Sequence, residues 1–352
     1  MSTMSIGLSM FGAMLVLMAV RVPIAISMFV PGAVGYMALA GWLPLLSHLK
    51  GAVYSRVSIY DLSVIPLFML MGAFAVHGGL SKALFDFANA LLGRFKGGMA
   101  MAGVLACAAF GSISGSTVAT TATIAQVAYP EMRRINYSGR LATAALATGG
   151  TMGVLLPPSV TLMVYAILTE QNITKMFLAA YIPALIAAVG YLIAIAVIVR
   201  IHPDQAPQAK AATASELMTS ALNVWPIAAI FLVVFGGIYG GVFTATEGAA
   251  IGNVLTFAIT LLRREMTFDK LVASIRTTAQ TSGMIFLIFI GADMINASLA
   301  LSQLPAQLAD MVGHLQISPL VVMAGIMIFY IILGCVMDEM SMILLTVPTL
   351  FP

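Results

Sequence analysis

This sequence predicts an all-α polytopic membrane protein. Three observations predict it: an apolar composition, long uncharged runs, and a hydrophobic segment that recurs in inverted orientation. Apolar residues make up 61% of the chain and charged ones 8%, and the mean hydropathy is +1.04. A soluble domain carries about 25% charged residues, so the composition excludes that class. Within hydrocarbon every backbone N–H and C=O must find a partner inside the protein, which makes helices the expected form of such runs. The formal charge of +3 is too small to imply nucleic acid as a partner. The basic residues instead sit where the topology of a lipid bilayer explains them.

Residues 5–20 have no basic leader before them and run into further apolar sequence, so they read as a first transmembrane helix and not as a cleavable signal. Arg21-Val22-Pro23 marks a break, and residues 23–46 form the next apolar segment. Residues 62–76 give another span, ended by His77-Gly78-Gly79. Residues 80–95, which carry Lys82, Asp86 and Arg94, read as an amphipathic interfacial helix.

Residues 97–130 then run for 34 positions without a charge. A straight helix of that length spans ~51 Å against a hydrocarbon core of ~30 Å, while two full crossings need about 40 residues. The stretch is too long to cross once and too short to cross twice. Arg94 and Lys96 precede it and Arg133 and Arg134 follow it. Both ends are therefore expected on the cytoplasmic side, with Gly111-Ser112-Ile113-Ser114-Gly115-Ser116-Thr117 as the tip of a re-entrant hairpin. Irregular backbone at membrane depth is tolerated only where it is buried in protein or lines a polar cavity.

Residues 141–169 are 29 uncharged positions interrupted by Thr148-Gly149-Gly150-Thr151-Met152-Gly153 and by Pro157-Pro158-Ser159. Glycine and proline at that density predict a helix broken near the midplane, with carbonyls and helix ends exposed. Residues 176–199 cross again, 200–219 are linker-like, and 221–241 and 243–262 form a pair joined at Gly240-Gly241. A charged connector, 263–276, precedes an apolar segment at 283–300, an interfacial stretch at 301–315 and a final apolar run from Pro319.

With the N-terminus placed outside, the inner loops hold thirteen basic residues and the outer loops only Lys50, Arg56 and Lys175. That asymmetry sets the expected orientation. Cys107 and Cys335 lie far apart in apolar runs, and His48, His77, His202 and His314 lack metal-ligand spacing. No catalytic constellation stands out.

Ile65-Pro66-Leu67-Phe68-Met69-Leu70-Met71-Gly72-Ala73 resembles Met284-Ile285-Phe286-Leu287-Ile288-Phe289-Ile290-Gly291-Ala292. A small-residue turn, an interfacial helix and a long apolar run follow each copy. The first copy starts outside and the second inside, so the repeats are inverted, an arrangement common in secondary transporters. A counterpart of the broken helix at 141–169 is absent from the second copy, so the second repeat is expected to be incomplete and the chain a truncated form of a longer one.

Several motifs carry a family resemblance: Arg21-Val22-Pro23-Ile24-Ala25, the hairpin tip, Gly153-Val154-Leu155-Leu156-Pro157-Pro158-Ser159, and Met337-Asp338 leading to Ile343-Leu344-Leu345-Thr346-Val347-Pro348. Gly241-Val242-Phe243-Thr244-Ala245-Thr246-Glu247 adds to it, although the family usually has proline at Ala245 and alanine at Gly248. The chain resembles, over its whole length, the large membrane (M) subunit of tripartite ATP-independent periplasmic (TRAP) transporters.

The resemblance implies an elevator-type, Na⁺-coupled importer of organic acids such as C4-dicarboxylates or sialic acid. Its implied partners are a small membrane subunit and a periplasmic substrate-binding protein, and its implied location is the bacterial inner membrane. The expected layout is scaffold helices at 1–56 and a first transport repeat at 57–170, with hairpin 97–130 and broken helix 141–169. Scaffold helices and connectors follow at 171–276, and then an incomplete second repeat at 277–352 with hairpin 319–352.

Ser112, Ser114, Gly115, Ser116 and Thr117, with Gly149, Gly150, Thr151 and Gly153, are the expected Na⁺-binding region, because a hard cation prefers hydroxyl and carbonyl oxygens. Pro157, Pro158, Ser159 and Asp338 are expected to line the substrate path. Simple close packing of small residues competes with the first reading, and a structural cap competes for Asp338. Glu247 and Asp293 read as structural acids, and Arg21 as a snorkelling topology determinant. Two other functions fit the same residues: a stand-alone divalent-anion:sodium symporter and an inactive fragment.

Overall fold

In the computed structural model, residues 3–207, 212–304, 306, 307, 310, 318–335, 337 and 339–350 are described. They form helices joined by short turns, with no strand among them. In order these are α1 (Thr3–Ala19), α2 (Ile24–Ala40), α3 (Trp42–Val57), α4 (Val64–His77), α5 (Leu80–Leu92), α6 (Gly98–Ser114), α7 (Thr117–Arg134) and α8 (Gly139–Gly150). There follow α9 (Met152–Leu155), α10 (Val160–Leu168), α11 (Ile173–Ile201), α12 (Ala214–Tyr239), α13 (Ala245–Leu262), α14 (Phe268–Ser302), α15 (Pro319–Gly334) and α16 (Glu339–Leu350). Six of the described segments are long and apolar enough to cross a membrane, the longest being Phe268–Ser302. The protein is an all-α, multi-pass membrane protein.

Two compact units divide the chain: Met1–Leu62 with Ile167–Glu170 and Gln280–Pro352, and Ser63–Ala166 with Gln171–Ala279. In the first unit, α2 and the later part of α14 pack backbone to backbone. A side chain on Gly32 would meet Ile295 Cα at 2.8 Å, and one on Gly291 would meet the Ala25 carbonyl oxygen at 2.6 Å. The Ser298 hydroxyl donates to Gly32 O at 2.5 Å. Without a hydrophobic force between helices in lipid, such close approach and interhelical hydrogen bonds are what hold them together.

The apolar segment expected at 23–46 is divided. Gly41, at φ +94°, ends α2 and starts α3. A left-handed backbone there suits glycine, and no charge marked the break in the sequence. The connector expected at 263–276 is also mostly helix, since α14 begins at Phe268. The Thr267 hydroxyl caps it by accepting from the Lys270 backbone N–H at 3.3 Å. Charged residues are good helix formers when their heads reach water, so charge alone did not signal a loop.

In the second unit, α13 packs along α4. Buried Asn253 donates through Nδ2 to Leu67 O of α4 at 2.7 Å and to Ala249 O at 3.0 Å. Glu247 closes a capping box at the start of α13. Its carboxylate accepts from the Thr244 N–H at 2.8 Å, while the Thr244 hydroxyl accepts from the Glu247 N–H at 3.2 Å. That is a structural role for this acid. Also in this unit, the Tyr239 hydroxyl of α12 donates to that of Tyr181 on α11 at 3.2 Å.

Candidate functional site: a hairpin tip on a broken helix

Helices α6 and α7 are joined by two residues. Gly115 takes φ +60° and donates its N–H to Gly111 O at 2.8 Å, ending α6 in a left-handed cap. That conformation favours glycine. Ser116 then caps α7, accepting from the Ala119 N–H at 3.3 Å. At the other end, the Met99 N–H donates to the hydroxyl of fully buried Tyr137 at 3.3 Å, which brings the start of α6 beside the end of α7. The pair is a hairpin. Almost all of α6 is buried, whereas α7 buries one stripe containing Thr120, Ile124, Ala128 and Met132.

The adjoining segment is interrupted twice. α8 stops at Gly150, α9 is a four-residue fragment, and residues 156–159 are non-helical before α10 resumes. Proline at 157 and 158 forbids two consecutive ladder donors. The Pro157–Pro158 bond is cis, and the Ser159 hydroxyl accepts from the Leu162 N–H at 3.2 Å to restart the helix.

Glycines let these two broken elements touch. A Cβ on Gly111 would lie 2.5 Å from Gly153 Cα, and one on Gly153 would lie 3.0 Å from both Ser116 O and Thr120 Oγ1. At Gly115 the hypothetical Cβ meets Pro158 O at 3.0 Å, and at Gly149 it meets Val104 Cα at 3.1 Å. From α4, Gly72 approaches the tip in the same way, its Cβ position being 2.8 Å from Ser114 Cα. Ser114 Oγ and Thr120 Oγ1 are 2.6 Å apart and both buried.

Oxygens therefore gather at the tip: Ser114 Oγ, Thr120 Oγ1 and Ser116 O meet beside Gly153, and Pro158 O lies against Gly115. Each hydroxyl has two lone pairs and one proton, so a mutual hydrogen bond leaves acceptor capacity on both. The chemistry of this donor set, neutral oxygens at helix ends in a buried place, suits a hard monovalent cation.

Among the residues singled out from sequence, Ser114, Gly115, Ser116, Gly149, Gly153 and Pro158 lie in these contacts. Ser112 is buried, but its hydroxyl donates back to Ala109 O at 2.7 Å. Thr117 follows the cap, and its carbonyl accepts from the Thr121 hydroxyl at 2.8 Å. Gly150 borders Thr121 of α7. Thr151 is exposed, donates to Thr148 O at 2.6 Å and lies 3.1 Å from the Tyr191 hydroxyl of α11. Pro157 and Ser159 are buried within the break. Asp338 lies outside the described residues. Thr120 and Gly72 were not singled out; a threonine stripe at 117, 120 and 121 is the signal that points to the former.

A family model of the tripartite ATP-independent periplasmic transporter DctM component matches residues 11–352. The chain belongs to that family. A large permease protein of the C4-dicarboxylate TRAP transporter from Pseudomonas aeruginosa is 32% identical over 295 residues, 83% of this chain and 68% of its own. The 2,3-diketo-L-gulonate TRAP transporter large permease protein of Escherichia coli is 30% identical, over 97% of this chain and 80% of its own. The isethionate TRAP transporter permease protein DctMQ of Oleidesulfovibrio alaskensis is 27% identical, over 97% of this chain and 54% of its own. As a DctM component the chain is a transporter protein and not an enzyme.

Proposed function

We propose that this chain is the large membrane subunit of a Na⁺-coupled TRAP importer for small organic anions in the bacterial inner membrane, with its N-terminus in the periplasm. A small membrane subunit and a periplasmic substrate-binding protein complete it, the latter delivering the substrate. The substrates in the names of the three relatives, a C4-dicarboxylate, a diketo sugar acid and a sulfonate, share a small size and a negative charge, which supports the substrate class and leaves the compound open.

One observation carries the reading. Gly153 sits against Ser116 O and Thr120 Oγ1, so the hairpin tip and the broken helix bring neutral oxygens together. Na⁺ bound by Ser114, Ser116, Thr120 and Pro158 supplies positive charge for an incoming carboxylate, while the open backbone at 156–159 and its Ser159 hydroxyl line the substrate path. Charge neutralisation between ion and anion lowers the cost of carrying either through the bilayer. In this reading the transport step is an elevator movement in which the hairpin and the broken helix are carried together.

Reconstitution of the full-length chain with its small subunit and candidate binding proteins tests this, with uptake of labelled organic acids under an imposed Na⁺ gradient. Uptake that needs both Na⁺ and the binding protein is expected. Na⁺-driven uptake without any binding protein would place the chain with stand-alone symporters instead.

A further inference from the structure

Three turns of the second unit meet at one of its ends. Gly97, which opens α6, lies against the last turns of α11: its Cβ position is 2.9 Å from Val199 Cγ2 and 3.3 Å from Ile195 Cγ2. Ser138, just before α8, donates its N–H to Gln205 O, just after α11, at 2.9 Å. Residues 94–96, 131–140 and 200–204 are thereby gathered, and they carry six arginine and lysine side chains against the carboxylates of Glu131 and Asp204. α5, which packs on α6 and α7, adds one charge of each sign, Lys82 and Asp86.

Internal contacts use up only part of that positive charge. Arg134 pairs with Glu131 at 3.0 Å, Arg133 donates to Tyr137 O at 2.9 Å, and the Arg94 guanidinium lies over the Phe95 ring at 4.9 Å. The side chains of Lys96, Arg140 and Arg200 are exposed and have no ion-pair or hydrogen-bond partner among the described residues. Basic residues at helix ends are ordinary topology signals. Here the fold draws them from separate turns to the same end of the unit, and an apolar strip adjoins them. Ile193, Val197 and Ile201, spaced four residues apart on α11, are 58%, 47% and 65% exposed. Cationic heads beside an exposed hydrocarbon strip match the two ends of a phospholipid, whereas a soluble anion would use only the first.

We propose that the junction of α6, α8 and α11 binds an anionic phospholipid, with Lys96, Arg140 and Arg200 around its headgroup phosphate and the strip at 193–201 along an acyl chain. Arginine offers a fork of donors to phosphate oxygens, and long basic side chains reach from a helix end to the headgroup level. A zwitterionic headgroup brings its own cation and gains less from them. Because the ligands come from both the base of the hairpin and the end of α11, the lipid clamps the two together. The site lies at the opposite end of α6 from the tip and does not depend on the Na⁺ assignment made there.

Titration of the purified chain in neutral detergent with fluorescent phosphatidylglycerol tests this, with phosphatidylcholine carrying the same label as the reference. Phosphatidylglycerol is expected to saturate at roughly tenfold lower concentration than phosphatidylcholine, a preference that shrinks as salt rises. Arg140→Gln and Arg200→Gln should each weaken phosphatidylglycerol binding about fivefold and leave phosphatidylcholine binding unchanged. Arg140→Lys and Arg200→Lys keep the charge and should restore most of the loss, which a merely structural role would not predict. Lys175→Gln, at the other end of α11, should change nothing, and glycerol phosphate, which has no acyl chain, should not displace the lipid. Equal affinity for the two lipids, wild-type binding in the combined Lys96→Gln, Arg140→Gln and Arg200→Gln variant, or displacement by glycerol phosphate would overturn the inference.

Discussion

Met99 and Tyr137 are 38 residues apart, yet the backbone N–H of the first donates to the hydroxyl of the second at 3.3 Å. This bond joins the entrance of α6 to the exit of α7, and Arg133 reinforces it by donating to Tyr137 O at 2.9 Å. A single straight crossing cannot bring its two ends together, so the pair folds back on itself.

Cysteines placed at Arg94 and Arg133 should therefore react with a membrane-impermeant maleimide from the same side. The background for the test is Cys335→Ser, since Cys335 is exposed and Cys107 is buried. Labelling from opposite sides would rule out the hairpin.

Close backbone packing predicts unequal glycine tolerance. Gly111→Ala drives a methyl to 2.5 Å from Gly153 Cα, where backbone on both sides leaves nothing flexible to give. Overpacking of this kind costs about 1–3 kcal/mol or more. Gly190 has nothing within 4 Å of its Cβ position, and Gly190→Ala should gain about 0.5–1 kcal/mol from reduced unfolded-state entropy. Thermal unfolding in detergent ranks the two, and equal midpoints would contradict the packing described.

Asn253 ties α13 to α4 through Leu67 O at 2.7 Å. Interhelical hydrogen bonds in membrane proteins average about 0.6 kcal/mol and reach about 1.7 kcal/mol, less than intuition from dry interiors suggests. Asn253→Ala should lower stability by that modest amount. A loss beyond about 3 kcal/mol would mean that Asn253 holds something more than the helix pair.

At the start of α13, Thr244→Ala removes one half of a capping box and should cost about 0.5–2 kcal/mol, while Thr244→Ser should cost little. Glu247→Gln keeps an acceptor at the same place and should leave transport intact. Lost transport at unchanged stability would make Glu247 a functional acid.

The membrane class was legible in composition, because hydrocarbon leaves helices as the only economical partner scheme for long apolar runs. The tip was legible for a related reason: glycine and serine at 111–116 are poor helix formers, and at membrane depth they need a structural cause. What the sequence concealed depends on the third dimension. Gly41 breaks an apolar run with no change of polarity, and Thr120 joins the tip only because α7 turns its buried stripe toward Ser114. His48 and Asp293 meet from helices 245 positions apart in numbering, and neither residue carries a local signal of the other.

The central claim is that oxygens of the hairpin tip and the broken helix hold the coupling ion. The direct test is the Na⁺ concentration for half-maximal organic-acid uptake in proteoliposomes, measured with the partner subunits for wild type, Ser114→Ala and Thr120→Ala. Each variant should need roughly tenfold more Na⁺, equivalent to about 1.4 kcal/mol, at unchanged expression and unchanged affinity of the binding protein for substrate. An unchanged Na⁺ requirement in both variants would contradict the assignment.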